Sequence, residues 1–180
     1  MAINKDSNTY TISFAIVLVI LVGGLLAAIA NGLKPLQDEN LVNEKKQNIL
    51  NCLPGNKSIT RDEAGSVFAN FVKQRVILNY NGEIKENTLL DNSTELNNKD
   101  SRDAFSIDLL KEYKTIKDEK SRNYPLFICD VEGKTYYVAP VMGKGLWAAV
   151  WGFIAIDESG NSISGTVFDH KSETCLLYTS

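Results

Sequence analysis

The sequence contains one histidine and only three cysteines, and this scarcity excludes several kinds of site. Cys52 and Cys129 are far apart, with no CxxC pair and no histidine cluster, so neither a disulfide framework nor a zinc site is predicted. The single histidine, His170, has no partner for a proton relay, and a structural role at the surface or a sheet edge is expected for it. The sequence therefore predicts neither a metal centre nor a catalytic triad.

Motifs for binding nucleotides and nucleic acids are also missing. Gly143-Lys144-Gly145 lacks the spacing and the hydroxyl of a phosphate-binding P-loop, and no GxGxxG follows a strand. The formal net charge is -3, and no dense stripe of lysine and arginine is present to neutralise phosphates. A nucleoside triphosphate, a Rossmann-bound nicotinamide and a nucleic acid are therefore not expected as ligands of this chain.

The N-terminal part contains a long apolar run, which follows a short segment at residues 1–10. Residues 11–30 carry no charge, and about twenty helical residues at 1.5 Å each span roughly 30 Å, the thickness of a bilayer core. A cleaved signal peptide is the alternative, because Lys5 precedes the run and Ala28-Ile29-Ala30 fits a cleavage site. The run is longer than a usual signal core, which favours a single transmembrane helix.

Two further helices are predicted after the membrane segment, followed by a polar stretch. Residues 31–60 are expected to form a juxtamembrane stalk, helical from Leu36 to Leu50 and broken at Pro54-Gly55. Thr60 and Glu63 have capping-box spacing, and the apolar periodicity behind them predicts a helix from about Asp62 to Leu78.

Residues 79–120 are rich in Asn, Asp, Glu and Lys, with loops marked by Asn92, Asn97 and Asn98. They are expected at the surface as a solvated face around Asp100, Arg102 and Asp103, with one short helix suggested by Phe105, Leu109, Leu110 and Tyr113.

Short strands separated by turns are predicted from Pro125 onwards. The segments Leu126 to Val131, Thr135 to Val141, Leu146 to Ile156 and Ser162 to Asp169 are rich in β-branched and aromatic residues. Both alternate sets of the third strand are apolar, so both faces of the sheet should be covered, one of them by a helix. These elements predict an α+β domain with an antiparallel sheet and flanking helices over residues 61–174.

The most specific signal is an ordered set of motifs near the C-terminus. Two glycines bracket a lysine in Gly143-Lys144-Gly145, where they allow a positive φ and a close approach of the backbone, and Leu146-Trp147 follows. A strand, a Ser-Gly-Asn turn, a second strand and the pentapeptide His-Lys-Ser-Glu-Thr at 170–174 complete the set. Together with the anchor, this set resembles the C subunit, the membrane-anchored flavin subunit, of the sodium-translocating NADH:quinone reductases. The flavin subunit of the Rnf complex is the near relative.

This resemblance implies a fold, a cofactor and a site. Members carry an FMN-binding-type domain and hold FMN covalently, through a phosphoester to a threonine in a Ser-Gly-Ala-Thr-like motif near the C-terminus. That motif is absent here, and Thr174 belongs to a different region of the family pattern, so the attachment threonine is expected beyond the end of this chain. The resemblance places six residues in the framework of the flavin pocket: Gly143, Gly145, Leu146, Trp147, Glu173 and Thr174.

The resemblance also implies partners and a location. The chain is expected to be an electron-relay subunit of an NADH:ubiquinone reductase in the bacterial inner membrane, where other subunits bind NADH and quinone and sodium is moved outward. By the positive-inside rule, the soluble domain is weakly predicted to be cytoplasmic, because Lys34, Lys45 and Lys46 follow the helix. The family implies a periplasmic domain instead, and we follow the family. A non-enzymatic, membrane-anchored envelope protein of the pilin type is the alternative from another class. It is disfavoured because no acidic residue lies within the apolar run.

The last six residues, 175–180, depart from the family pattern. Cys175-Leu-Leu-Tyr-Thr-Ser180 can be encoded by the transposase end sequence that tags DNA fragments for sequencing. We therefore expect residues 175–180 to be a sequencing-adapter artefact, the domain to be incomplete at its C-terminus, and the 180-residue chain alone to be inactive.

Overall fold

The structure, a computed structural model, describes residues 8–55, 59–85, 100–145 and 148–170. The chain divides into two compact units, residues 1–41 and residues 42–180. The predicted loop positions Asn92, Asn97 and Asn98 lie outside the described residues, as do residues 171–180.

The first unit is formed by the N-terminal part of a long helix. Helix α1 spans Asn8–Asn51 and includes Pro35 without interruption. It is the one described helix that is long and apolar enough to cross a membrane, and none of its apolar window is buried in the protein. The predicted transmembrane segment and the predicted helical stalk are therefore parts of one continuous helix.

The second unit contains a five-stranded antiparallel sheet. Its strands are β1 (Val72–Leu78), β2 (Tyr124–Val131), β3 (Lys134–Lys144), β4 (Ala149–Asp157) and β5 (Ile163–His170). They lie side by side in the order β1-β2-β3-β4-β5, so each strand pairs with its neighbour in the chain. The remaining elements are α2 (Arg61–Phe71), α3 (Leu109–Thr115) and two 3₁₀ helices, Ala104–Ser106 and Glu119–Ser121. The α+β class and the antiparallel sheet predicted from the sequence are confirmed.

The beginning of α2 agrees with the sequence, but its end does not. Thr60 accepts a hydrogen bond from the backbone of Glu63, and the Glu63 side chain accepts one from the Thr60 backbone, which completes the capping box. The helix ends at Phe71, and the chain continues as β1 from Val72. The prediction of a helix to Leu78 was therefore wrong, because the β-branched residues after Phe71 pair with β2 instead.

The core lies between one face of the sheet and the helices. Phe127, Val138 and Ala155 form one cross-strand row in the register of β2, β3 and β4, and each is fully buried. The covering elements are the end of α1, helix α2 and the first 3₁₀ helix, through the buried residues Ile49, Leu50, Cys52, Leu53, Ala64, Phe68, Ala104 and Phe105. Four aromatic rings join these layers by edge contacts: Phe68, Phe105, Phe127 and Phe153.

Two expectations about burial are corrected. The polar stretch was expected at the surface, yet Asp103 and Phe105 are among the most buried residues of the protein. Both faces of β4 were expected to be covered, but only the face of Phe153 and Ala155 is in the core, whereas Ile154 and Ile156 on the other face are half-buried. The side chains of β4 therefore alternate between a face packed in the core and a face that is only partly covered.

Candidate site at the β3–β4–β5 corner

Gly143 and His170, one residue from each motif of the resemblance, lie at one corner of the sheet. Gly143, near the end of β3, pairs with Val150 near the start of β4, and Val150 pairs with His170 at the end of β5. Adjacent strands lie about 4.8 Å apart, so Gly143 and His170 are separated by roughly 10 Å. His170, the last residue of β5, therefore lies close to the hairpin that carries the glycines.

The two glycines have different surroundings. The backbone N–H of Gly145 donates to the carbonyl of Ala148 at 2.9 Å, which closes the β3–β4 hairpin. A Cβ at Gly145 would lie 2.7 Å from that carbonyl oxygen and 2.9 Å from Cγ2 of Val150, whereas a Cβ at Gly143 would meet no atom of the described residues within 4 Å. Gly145 is thus required for a close approach of the backbone, and Gly143 leaves open space on an exposed stretch of β3.

Of the two conformational freedoms that glycine allows in this motif, the close approach is used at Gly145 and the positive φ is not used. Neither Gly143 nor Gly145 has a positive φ; the described glycines that do are Gly55, Gly82, Gly133 and Gly160. The physical reason is that β3 extends to Lys144, so Gly143 is an extended strand residue rather than part of a turn. Of the six predicted pocket residues, Gly143 and Gly145 are at the corner, and Leu146, Trp147, Glu173 and Thr174 lie outside the described residues.

A buried charged cluster lies away from this corner, and no local feature of the sequence marks it. Nε of Arg75 in β1 donates to Oδ1 of Asp103 at 2.9 Å, and both side chains are 1% exposed. Oδ1 of Asp103 also accepts from the backbone N–H of Phe105, and Oδ2 is buried with no hydrogen-bond partner among the described residues. Lys45 of α1 donates to the backbone carbonyls of Phe105 and Ile107.

The two described cysteines are buried thiols. Burial raises the pKa of Cys52 to about 12, and burial together with the nearby Cys52 raises the pKa of Cys129 as well. A thiol with a raised pKa carries little thiolate at neutral pH, so neither cysteine is suited to nucleophilic or redox chemistry. In the described part of the chain, no three His, Cys, Asp or Glu side chains are grouped so that they could hold a metal ion.

Comparison with known proteins gives a consistent set of relatives, although no protein-family model matches the chain. The C subunit of the Na(+)-translocating NADH-quinone reductase of Neisseria meningitidis is 27% identical over 172 residues, which are 95% of this chain and 66% of the relative. The same subunit of Vibrio anguillarum is 28% identical over 179 residues, 97% of this chain and 67% of the relative.

A solved structure supports the same relationship. The crystal structure of the C subunit of this reductase from Parabacteroides distasonis superposes with a TM-score of 0.61 at 30% identity, and the match covers 79% of this chain and 60% of that one. The chain thus spans about two thirds of the length of the curated relatives it matches. The resemblance in the sequence is confirmed: over nearly its whole length, the chain is similar to the C subunit of the Na(+)-translocating NADH-quinone reductases.

Proposed function

We propose that the chain is a membrane-anchored subunit of an NADH-quinone reductase and that it relays electrons through covalently bound FMN. The observation that carries this proposal is the match of 95% of the chain to proteins named as the C subunit of that enzyme. The apolar helix α1 supports the membrane location, since none of its apolar window is buried in the protein. The relatives named above are reductase subunits, which favours this complex over the related Rnf complex.

The corner at Gly143 and Gly145 suits a flat group that is tethered by another part of the chain. Among the described residues, the absence of a side chain at Gly143 leaves open space along an exposed strand, and the hydrogen bond from Gly145 to Ala148 closes the hairpin next to it. His170 ends β5 as the partner of Val150, and Glu173 and Thr174 follow it closely in the sequence. We assign Gly143, Gly145, Leu146, Trp147, Glu173 and Thr174 to the framework that would hold the flavin.

The chemistry of this proposal requires few reactive side chains. A bound flavin supplies the redox reaction, and the protein contributes position, shielding and nearby dipoles. Backbone groups around the hairpin and the apolar side chain of Val150 are of the kind that perform these tasks. Buried, protonated thiols at Cys52 and Cys129 keep competing thiol chemistry away from such a cofactor.

The proposed location is the bacterial inner membrane, with a single span and the soluble domain in the periplasm. Covalent attachment suits that compartment, because a dissociated cofactor would be lost by dilution. The proposed partners are the other subunits of the reductase, which would bind NADH and quinone, and the membrane itself. Anchoring by α1 raises the effective concentration of the relay near these partners.

Covalent flavin fluorescence tests the proposal. The test uses a longer form of the chain, one that continues past Thr174 to an acceptor threonine. The longer product, coexpressed with a flavin transferase, should therefore give a fluorescent band on a denaturing gel. The present 180-residue chain, expressed in the same way, should give none and serves as the matched control. A membrane-inserted, full-length product without fluorescence would contradict the proposal.

A further inference from the structure

Lys45 lies at the centre of a partly buried contact between α1 and the segment Asp103–Asp108, here called the 103–108 segment. Nζ of Lys45 is 2.5 Å from the carbonyl oxygen of Phe105 and 3.2 Å from that of Ile107. It also lies 4.8 Å from the centre of the Phe105 ring. One amine thus binds both carbonyls of the turn that places Phe105 in the core.

Charged groups face this amine from both ends of the segment. Asp103 caps the first 3₁₀ helix and Asp108 caps α3, and both carboxylates attract the ammonium form of Lys45. Arg75 of β1 competes for Asp103 through their buried ion pair. The negative charge of Asp103 is therefore shared between Arg75 and Lys45. It offsets only part of the cost of burying the Lys45 charge.

We propose that the protonation state of Lys45 controls how tightly the 103–108 segment docks on α1, and we call this contact the latch. The segment docks more tightly when Lys45 loses its proton. A neutral amine still has two N–H groups, enough for the two carbonyls that it contacts. Loss of the proton removes the buried charge and keeps both hydrogen bonds. The latch is separate from the proposed flavin corner.

The sign of the effect follows from linkage. Burial lowers the pKa of Lys45 from 10.5 to about 8 in the docked state, against the opposing attraction of Asp108 and Asp103. When the segment opens, water surrounds the amine and its pKa returns toward 10.5. The open state binds more protons between these values, so raising the pH favours the docked state. Below pH 8 Lys45 stays protonated in the docked state, which then carries the cost of a partly buried charge.

Hydrogen exchange of the full chain in detergent micelles tests the latch. Amide protection of the 103–108 segment, corrected for the intrinsic exchange rate, should rise about tenfold between pH 7 and pH 9. K45M removes the titrating group, and K45R keeps a charge at every pH, so both should show nearly constant protection. Because the readout is a slope with pH, a general loss of stability in K45M does not obscure it, and K45R covers the case in which K45M fails to fold.

Two controls separate a latch from a general pH effect. K111M removes an exposed lysine of α3 and should keep the tenfold rise. Strand β3 should change much less than the 103–108 segment, because it has no contact with Lys45 among the described hydrogen bonds. A flat profile in the unaltered chain, an equal rise in K45M, or the same rise in β3 would each overturn the proposal.

Discussion

Replacing Asp103 by alanine is expected to lower the free energy of unfolding by about 3–5 kcal/mol. The variant leaves the Arg75 guanidinium without its carboxylate in a site where both side chains are 1% exposed. It also removes the carboxylate that caps the first 3₁₀ helix by accepting a hydrogen bond from the backbone N–H of Phe105. Urea denaturation of the full chain in detergent micelles, followed by tryptophan fluorescence, would measure the loss.

Two comparison variants identify the cause of that loss. Asp100→Ala breaks the ion pair with Arg102, whose side chain is 59% exposed, and should change stability little. The double variant R75M/D103L replaces both charges with apolar side chains and should regain most of the stability lost in D103A, because no uncompensated charge stays buried. Equal effects of D103A and D100A would contradict the buried pair.

Gly165→Ala is expected to cost about 3 kcal/mol, at the upper end of the range for overpacking. A Cβ at Gly165 in β5 would overlap the carbonyl oxygen of Cys52, just after the end of α1. Both sides of this contact are backbone, so no rotamer change can relieve it. The end of α1 would have to move away from the sheet, and Ile49 and Leu50 would lose part of their burial. Thermal or urea unfolding of the full chain in micelles measures this cost.

Gly143→Ala is the matched control within the same sheet. A Cβ there meets no atom within 4 Å in the described part of the chain, and the residue has no positive φ, so the change should be within about 0.5 kcal/mol of zero. Similar losses in the two variants would show that the cost comes from glycine replacement in general. A neutral Gly165→Ala would contradict the close contact between Cys52 and β5.

Local signals in the sequence predicted the parts of the fold that depend on neighbouring residues. The Thr60–Glu63 capping box has a fixed spacing, and the two-residue turn Glu132-Gly133, which contains a glycine, joins β2 directly to β3. Strand β1 was missed because its valines continue the helical spacing of α2, and only pairing with the distant β2 decides between helix and strand. Its irregular register between Val72 and Gln74 further hides the alternation expected of a strand.

Long-range contacts of polar residues could not be read from the sequence. Asp103 lies in a stretch rich in Asn, Asp and Lys, and its partner Arg75 is 28 residues away. Nothing near either residue marks the pair as buried. Lys45 is equally hidden, since a lysine in a polar stalk is ordinarily solvated. The corner site could be predicted only in part. The sequence revealed the glycine motif, but the extended backbone of Gly143 follows from its pairing with Val150, which no local signal indicates.

Affinity purification tests most directly whether this chain is part of a membrane NADH-quinone reductase. The chain, tagged and expressed in a host that makes this reductase but lacks its own C subunit, would be extracted from the membrane in a mild detergent. We predict that the other reductase subunits copurify with it and that a variant with residues 8–41 deleted loses them. Recovery of the intact, membrane-inserted chain without any of these subunits would contradict its membership of the complex.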